Sequence, residues 1–185
     1  MTNKTNQEFN MVNDVRCSFP HLWVRPTING KEAAYGCVFL LEKGRHDKQI
    51  QALEKRIESI LQDKNDGQSL KAEKLCLRDG DGEGERAEYA GHMYLSANTE
   101  ARPRIIGPRA SELVTSVEDD KIYAGCHVNA KVALWFQNNT HGKRVNAQLV
   151  AVQFNRDGEA FTSAYVAEED AMSGFGDVEN DDMFD

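Results

Sequence analysis

His127-Val-Asn-Ala-Lys-Val-Ala-Leu-Trp-Phe-Gln137, HVNAKVALWFQ in one-letter code, alternates between two sets of side chains. Val128, Ala130, Val132, Leu134 and Phe136 make one set; His127, Asn129, Lys131, Ala133, Trp135 and Gln137 make the other. Successive side chains of a β-strand point to opposite faces, so the first set is a core face and the second points outward. After it come the turn THGK, the run VNAQLVAVQFN, the turn RDGE and the run AFTSAYVA. Strand-length runs separated by short turn signals predict an antiparallel meander that forms a small barrel or sandwich.

Upstream, VRCSFPHLWV (15–24) reads as a strand in which Pro20 marks an edge or bulge. The turn TING is followed by a second strand, AAYGCVFLL (33–41). The period then changes. Ile50, Leu53, Ile57, Ile60 and Leu61 fall on one helical stripe, which predicts an amphipathic helix over about 47–62 with Asp47 as N-cap. YAGHMYLSAN (89–98) is a further strand, and a short second helix is expected from about Pro108 to Val117, with proline in its first turn. The whole reads as mainly β: an OB-fold-like small antiparallel barrel with helices. Residues 1–12 are expected to be a flexible lead-in, 13–167 the barrel domain and 168–185 a disordered acidic tail.

Length and composition suit one domain. No run approaches the ~18–20 apolar residues of a membrane span, and the polar N-terminus lacks a signal-peptide core, which points to a cytoplasmic protein. Cys17, Cys37, Cys76 and Cys126 form no CxxC pair and are expected to be reduced, buried thiols. Cys126-His127 has no second ligand pair at zinc spacing, so no metal or other cofactor is assigned. The net charge of −8 is local. Residues 168–185 hold eight of the thirty acids and no Lys or Arg, which leaves residues 1–167 with 22 acids against 22 bases. A neutral body can carry a cationic face.

Asp79, Asp81 and Glu83 alternate as in a calcium loop with Gly84 sixth, but the twelfth position is Ala90, where a bidentate glutamate belongs. The stretch is read as a solvated hairpin tip. No nucleophile elbow, zinc-protease helix, Walker loop or dinucleotide fingerprint is present, and no catalytic residue is assigned.

The outward face of the 127–137 strand sets Trp135 beside Lys131 and Asn129, and alternation in 89–98 sets Tyr94 with His92, Ser96 and Asn98. The bland reading of Trp135 is cover for a packed helix. Around these strands lie Arg102, Arg104, Arg109, Lys121, Lys143 and Arg144. Cations that follow phosphates and aromatic faces that stack on unpaired bases are what single-stranded nucleic acid requires. His92, Tyr94, Arg102, Arg104, Arg109, Lys121, Asn129, Lys131, Trp135, Lys143 and Arg144 are therefore the candidate DNA-binding residues. Whether Trp23 and Tyr35 are core or DNA-facing stays open at this stage.

YAGCHVNAKVALWFQNNTHGKRVNAQLVAVQFNRDGEAF, with RPRIIG and FPHLW upstream, resembles the single-stranded DNA-binding protein family of an Enterobacter phage. That family is distantly similar to the replication single-strand binders of short-tailed coliphages. The resemblance covers most of residues 15–166. It implies an OB fold, sequence-nonspecific binding of single-stranded DNA in replication and recombination, and no enzymatic activity. RNA and duplex DNA stand as weaker ligands, and the compartment is the host cytoplasm. It also implies that Tyr94, Lys131, Trp135 and the Arg102/Arg104 pair lie on or near the nucleic-acid surface, and that the acidic tail recruits replication or recombination proteins. The tail residues expected to do so are Asp177, Glu179, Asp181, Asp182, Phe184 and Asp185. Here Asp185 follows Phe184, whereas bacterial tails end on the aromatic itself. Two alternatives remain: an interaction module acting through the acidic tail without nucleic acid, and a metal-dependent nuclease.

Overall fold

The computed structural model describes residues 7–82 and 86–161. In chain order the elements are β1 (Asn10–His21), β2 (Thr27–Ile28), β3 (Lys31–Glu32), β4 (Tyr35–Glu42), α1 (Asp47–Lys64), β5 (Leu77–Asp79), β6 (His92–Thr99), β7 (Arg104–Ile106), β8 (Leu113–Val114), β9 (His127–Asn139) and β10 (Gly142–Arg156). Hydrogen-bonded neighbours run β5-β6-β4-β1-β9-β10-β7-β8, and a parallel pairing of β6 with β10 closes β1, β4, β6, β10 and β9 into a five-stranded barrel. Closure removes the free sheet edges that would otherwise template aggregation.

The alternation of β9 sorts as expected for most residues; Phe136 is only partly buried, and His127 and Ala133 of the outward set are buried. Val128, Ala130, Val132 and Leu134 enter the core with Phe39, Leu95, Leu149 and Val152 from the neighbouring strands. α1 adds Ile50, Leu53, Ile57, Ile60 and Leu61 to the same core, each worth about 1.5–3 kcal/mol of transferred apolar surface. All four cysteines are buried free thiols; Cys17 Sγ lies 2.9 Å from Cys37 Sγ, and burial pushes the Cys76 thiol up to about 11. Among the described residues no helix is long and apolar enough to cross a membrane.

Several boundaries differ from the sequence expectation. β1 begins at Asn10, inside the expected lead-in, because Asn10, Met11 and Val12 pair with Val132, Lys131 and Ala130 of β9. The helix begins at Asp47, but its N-cap is His46; Asp47 Oδ1 instead accepts the Gly44 N–H at 2.7 Å. Residues 108–116 form no helix, and only a single 3-10 turn begins at Val117. β7 and β8 pair there (Ile105 with Val114, Ile106 with Leu113), since β7 has already docked beside β10 and its continuation turns back upon it. Tyr89 belongs to a short 3-10 turn rather than to a strand. The bulge expected at Pro20 is present as a register shift between Ser18 and His21. Most of the run AFTSAYVA and all of the tail from residue 168 lie outside the described residues.

Candidate nucleic-acid interface

Register builds the site. His21 of β1 is the cross-strand partner of Gly36, Gly36 of Asn98, Asn98 of Gln148, and Gln148 of Ala133. The row crosses β1, β4, β6, β10 and β9 on the outside of the barrel, and a trough follows it. Trp135 stands two residues beyond Ala133 on the same side of β9 and is 47% exposed. Phe19, 43% exposed, stands at the opposite end beside His21. The hollow near Trp135 measures about 530 Å³ and that near Phe19 about 920 Å³; both are lined by Ala34, Arg78, Ser96 and Asn98, which makes them one channel. At Gly36 its floor is bare backbone, since a Cβ there would lie 2.8 Å from the Ala97 carbonyl oxygen.

Three arginines flank the channel. Arg78 donates from Nε to the Leu75 carbonyl at 2.9 Å and lies 5.9 Å from the Tyr94 ring. Arg144 donates to the Glu73 carbonyl at 3.0 Å. Arg86 sits 4.5 Å above the Phe19 ring and donates to the Tyr89 hydroxyl at 3.3 Å. Among the described residues the ion pairs are made by Arg25, Lys43, Arg45, Arg56 and Arg156, so no described carboxylate neutralises these three. Glu100, the acid on the rim, is held by Arg25 at 3.1 Å. The channel is thus cationic, with an exposed aromatic at each end.

The candidate residues named from sequence divide between this channel and other places. Trp135 and Arg144 line it. Lys131, Arg104 and Asn129 line an adjoining groove of about 560 Å³, where Met11, Lys131, Ala151 and Arg104 form the next cross-strand row. Lys131 Nζ rests 5.2 Å over the Phe9 ring. Asn129 is held by neighbours: its Oδ1 accepts from the Asp14 N–H and from Asn155, and its Nδ2 donates to Gln153. Arg102 stacks 4.8 Å over Trp23, whose indole donates to Asp120 at 2.6 Å, so Trp23 is a clamped, half-buried packing residue. Tyr35 is half-buried, with the Arg25 guanidinium 5.1 Å from its ring. Lys143 reaches Asn65 Oδ1 at 2.7 Å, His92 Nδ1 lies 2.8 Å from the Ala90 carbonyl, and Arg109 and Lys121 are exposed in loops. Asp177, Glu179, Asp181, Asp182, Phe184 and Asp185 lie outside the described residues.

Tyr94 requires a correction. It shares the outer side of β6 with Ser96 and Asn98, yet it is only 5% exposed. Leu40 and Tyr89 pack against it, with the Tyr89 and Tyr94 ring centroids 5.0 Å apart. The 3-10 turn that carries Tyr89 covers a face that strand alternation had left open. Phe19, Arg78 and Arg86 were missed by the sequence reading. The bulge signal at Pro20 was the one available pointer to Phe19, and both arginines lie in or beside the stretch read as a solvated hairpin tip.

Asp79 and Asp81 of the calcium-like stretch are occupied, and Glu83 lies outside the described residues. Lys43 Nζ lies 2.7 Å from Asp79 and 2.5 Å from Asp81. The Lys43 hydrogen bond holds the Asp79 carboxyl below its ordinary range; the Gly91 N–H, then Lys43, does so for Asp81.

A closed five-stranded barrel with an open outer channel is the OB class of binding protein. Residues 10–184 match the family described as Enterobacter phage Enc34, ssDNA-binding protein, and the chain belongs to that family, one of binding proteins rather than enzymes. It is 34% identical over 182 residues to protein p50 of Acyrthosiphon pisum secondary endosymbiont phage 1, spanning 93% of this chain and 96% of that one. The solved single-stranded DNA-binding protein from bacteriophage Enc34 superposes with a TM-score of 0.73 at 29% identity, over 87% of this chain and 88% of the other. Its complex with ssDNA gives 0.74 at 30% identity, over 82% and 88%. The bacteriophage T7 single-stranded DNA-binding protein gp2.5 shares the fold, with a TM-score of 0.52 at 11% identity over 88% and 98%.

Proposed function

We propose that the protein binds single-stranded DNA without sequence preference along the Phe19–Trp135 channel and protects it during phage replication and recombination in the host cytoplasm. The observation that carries this reading is the cross-strand channel itself, with an exposed tryptophan and three arginines that no carboxylate among the described residues neutralises. Phosphates follow Arg78, Arg144 and Arg86, and bases stack on Trp135. Lys131 and Arg104 in the adjoining groove extend the cationic path. Arg102, Arg109, Lys121, Lys143 and His92 lie outside it, and the cations among them act through long-range attraction. Duplex DNA hides its base faces and binds more weakly, and RNA is the nearer competitor.

The tail completes the reading. Its eight acids compete with phosphate for the same cations when no strand is bound. DNA displaces the tail, which then offers Phe184 and its flanking carboxylates to a replication or recombination protein; the aromatic anchors and the acids steer. The direct test is titration with oligothymidylate, a duplex and an RNA of equal length at two salt concentrations. Tightest binding to oligothymidylate, weakening with salt, is expected. Equal binding of the duplex, or no binding at low salt, would refute the proposal.

A further inference from the structure

Phe19 is held in a conformation that its residue type avoids. Its φ is +49°, in the left-handed region, and it precedes Pro20, which already narrows the conformations open to it. Among the described residues the other non-glycine positive-φ positions are Asp14, Asn29 and Asp66, residue types that tolerate this region. Backbone strain at a bulky residue persists where the surrounding structure enforces it, and it concentrates at functional sites. Here the effect of the strain is visible. The Ser18–His21 bulge turns a phenylalanine out of the core onto the channel, 43% exposed, with the Arg86 guanidinium over its ring at 4.5 Å.

We infer that Phe19 and Arg86 form a second base-stacking station at the far end of the channel from Trp135. The inference rests on the single-strand reading above. Arg86 is a planar cation stacked where a base would stack, so it keeps the ring covered when the channel is empty and supplies a charge for the phosphate beside an incoming base. The two stations are separated by the four strand junctions of the His21–Gly36–Asn98–Gln148–Ala133 row. At about 4.8 Å per junction that is on the order of 20 Å. A strand spans this with roughly six nucleotides at the stacked 3.4 Å rise, and with about half as many when unstacked. Short oligonucleotides therefore reach one station, and long ones reach both.

The test measures Trp135 fluorescence quenching by oligothymidylates of about two and about twelve nucleotides, lengths below and above the span between stations whether the strand is stacked or not. Phe19→Ala is expected to weaken the long oligonucleotide at least about fivefold and to leave the short one at Trp135 unchanged. Phe19→Tyr is expected to restore the long-strand affinity. Phe19→Trp in a Trp135→Phe background places a fluorophore on the station, and the long strand should quench it whether or not Phe19→Ala folds well. Equal loss for both lengths would mean that Phe19 serves only to shape the barrel, and no loss for the long strand would remove the station. If the unaltered protein binds neither length, the single-strand reading itself fails, an outcome distinct from both.

Discussion

Trp135 of β9 and Asn146 of β10 are direct cross-strand partners on the outer side of the barrel, and Asn146 Nδ2 is committed to Gln137 at 3.0 Å. The indole therefore faces the channel with its neighbour turned aside. Trp135→Ala should weaken single-stranded DNA binding by about 1–3 kcal/mol, or roughly 5- to 150-fold. The chain's other tryptophan, Trp23, is clamped between Arg102 and Asp120, so the quenching produced by oligothymidylate should vanish in this variant. Persistent quenching would assign the signal to Trp23 and remove Trp135 from the interface.

Arg78 and Arg144 reach backbone carbonyls and leave their charge uncompensated among the described residues. Replacing either by Gln should weaken all sequences alike and flatten the dependence of log affinity on log salt by about 0.7 per lost phosphate contact. The measurement is a salt series for each variant, and an unaltered slope would mean that no phosphate sits at that position.

Removal of residues 168–185 takes away eight acids and no base. Truncation should tighten single-strand binding most at low ionic strength. The gain should shrink as the screening length falls from about 30 Å at 0.01 M to about 8 Å at 0.15 M. Identical low-salt affinities for the full and truncated chains would refute competition by the tail.

His127 lies 3.1 Å from the Asp14 carboxylate, but the two are not an ion pair at neutral pH. Burial lowers the imidazole pKa; the Asp14 backbone contact and carboxylate oppose the shift, and Arg156 and Arg16 reinforce it. Arg156 Nη2 and the Asp14 carboxylate both lie 3.1 Å from Nδ1, so the tautomer decides which of them the ring bonds. A histidine whose folded pKa is depressed contributes stability that is complete above the unfolded value of about 6.5 and is lost as pH falls from there through the folded value. Melting temperature should accordingly drop between about pH 7 and pH 5, and His127→Gln should flatten that drop. A melting temperature that rises on acidification would reverse the assignment.

Leu53 is 1% exposed at the centre of the α1 stripe. Leu53→Ala should cost about 2–5 kcal/mol in chemical denaturation while the folded fraction keeps its DNA affinity, because α1 lines neither the main channel nor the adjoining groove. A parallel loss of affinity would tie the helix to the interface.

The helix stripe Ile50–Leu61, the core face of β9, the β9–β10 hairpin and the outward placement of Lys131 and Trp135 were all legible in the sequence. Each follows from a local period, 3.6 for a helix and two for a strand, and the period is written in consecutive residues. A barrel was expected, but the pairing that closes it was not legible, because the parallel β6–β10 contact joins Ala97 to Ala147, fifty residues apart, and no local pattern encodes it. Burial of Tyr94 was equally hidden. Alternation settles which side of a strand a residue takes, while what covers that side depends on a turn that folds back from elsewhere, here the one carrying Tyr89. The hairpin at 104–114 replaced the expected helix for the same kind of reason: β10 offered β7 a partner at long range. Phe19, Arg78 and Arg86 converge only once β1, β4, β5 and β6 lie side by side. The side chains and their charges were determined residue by residue along the chain, and their assembly into one channel was decided by strand register across the closed barrel.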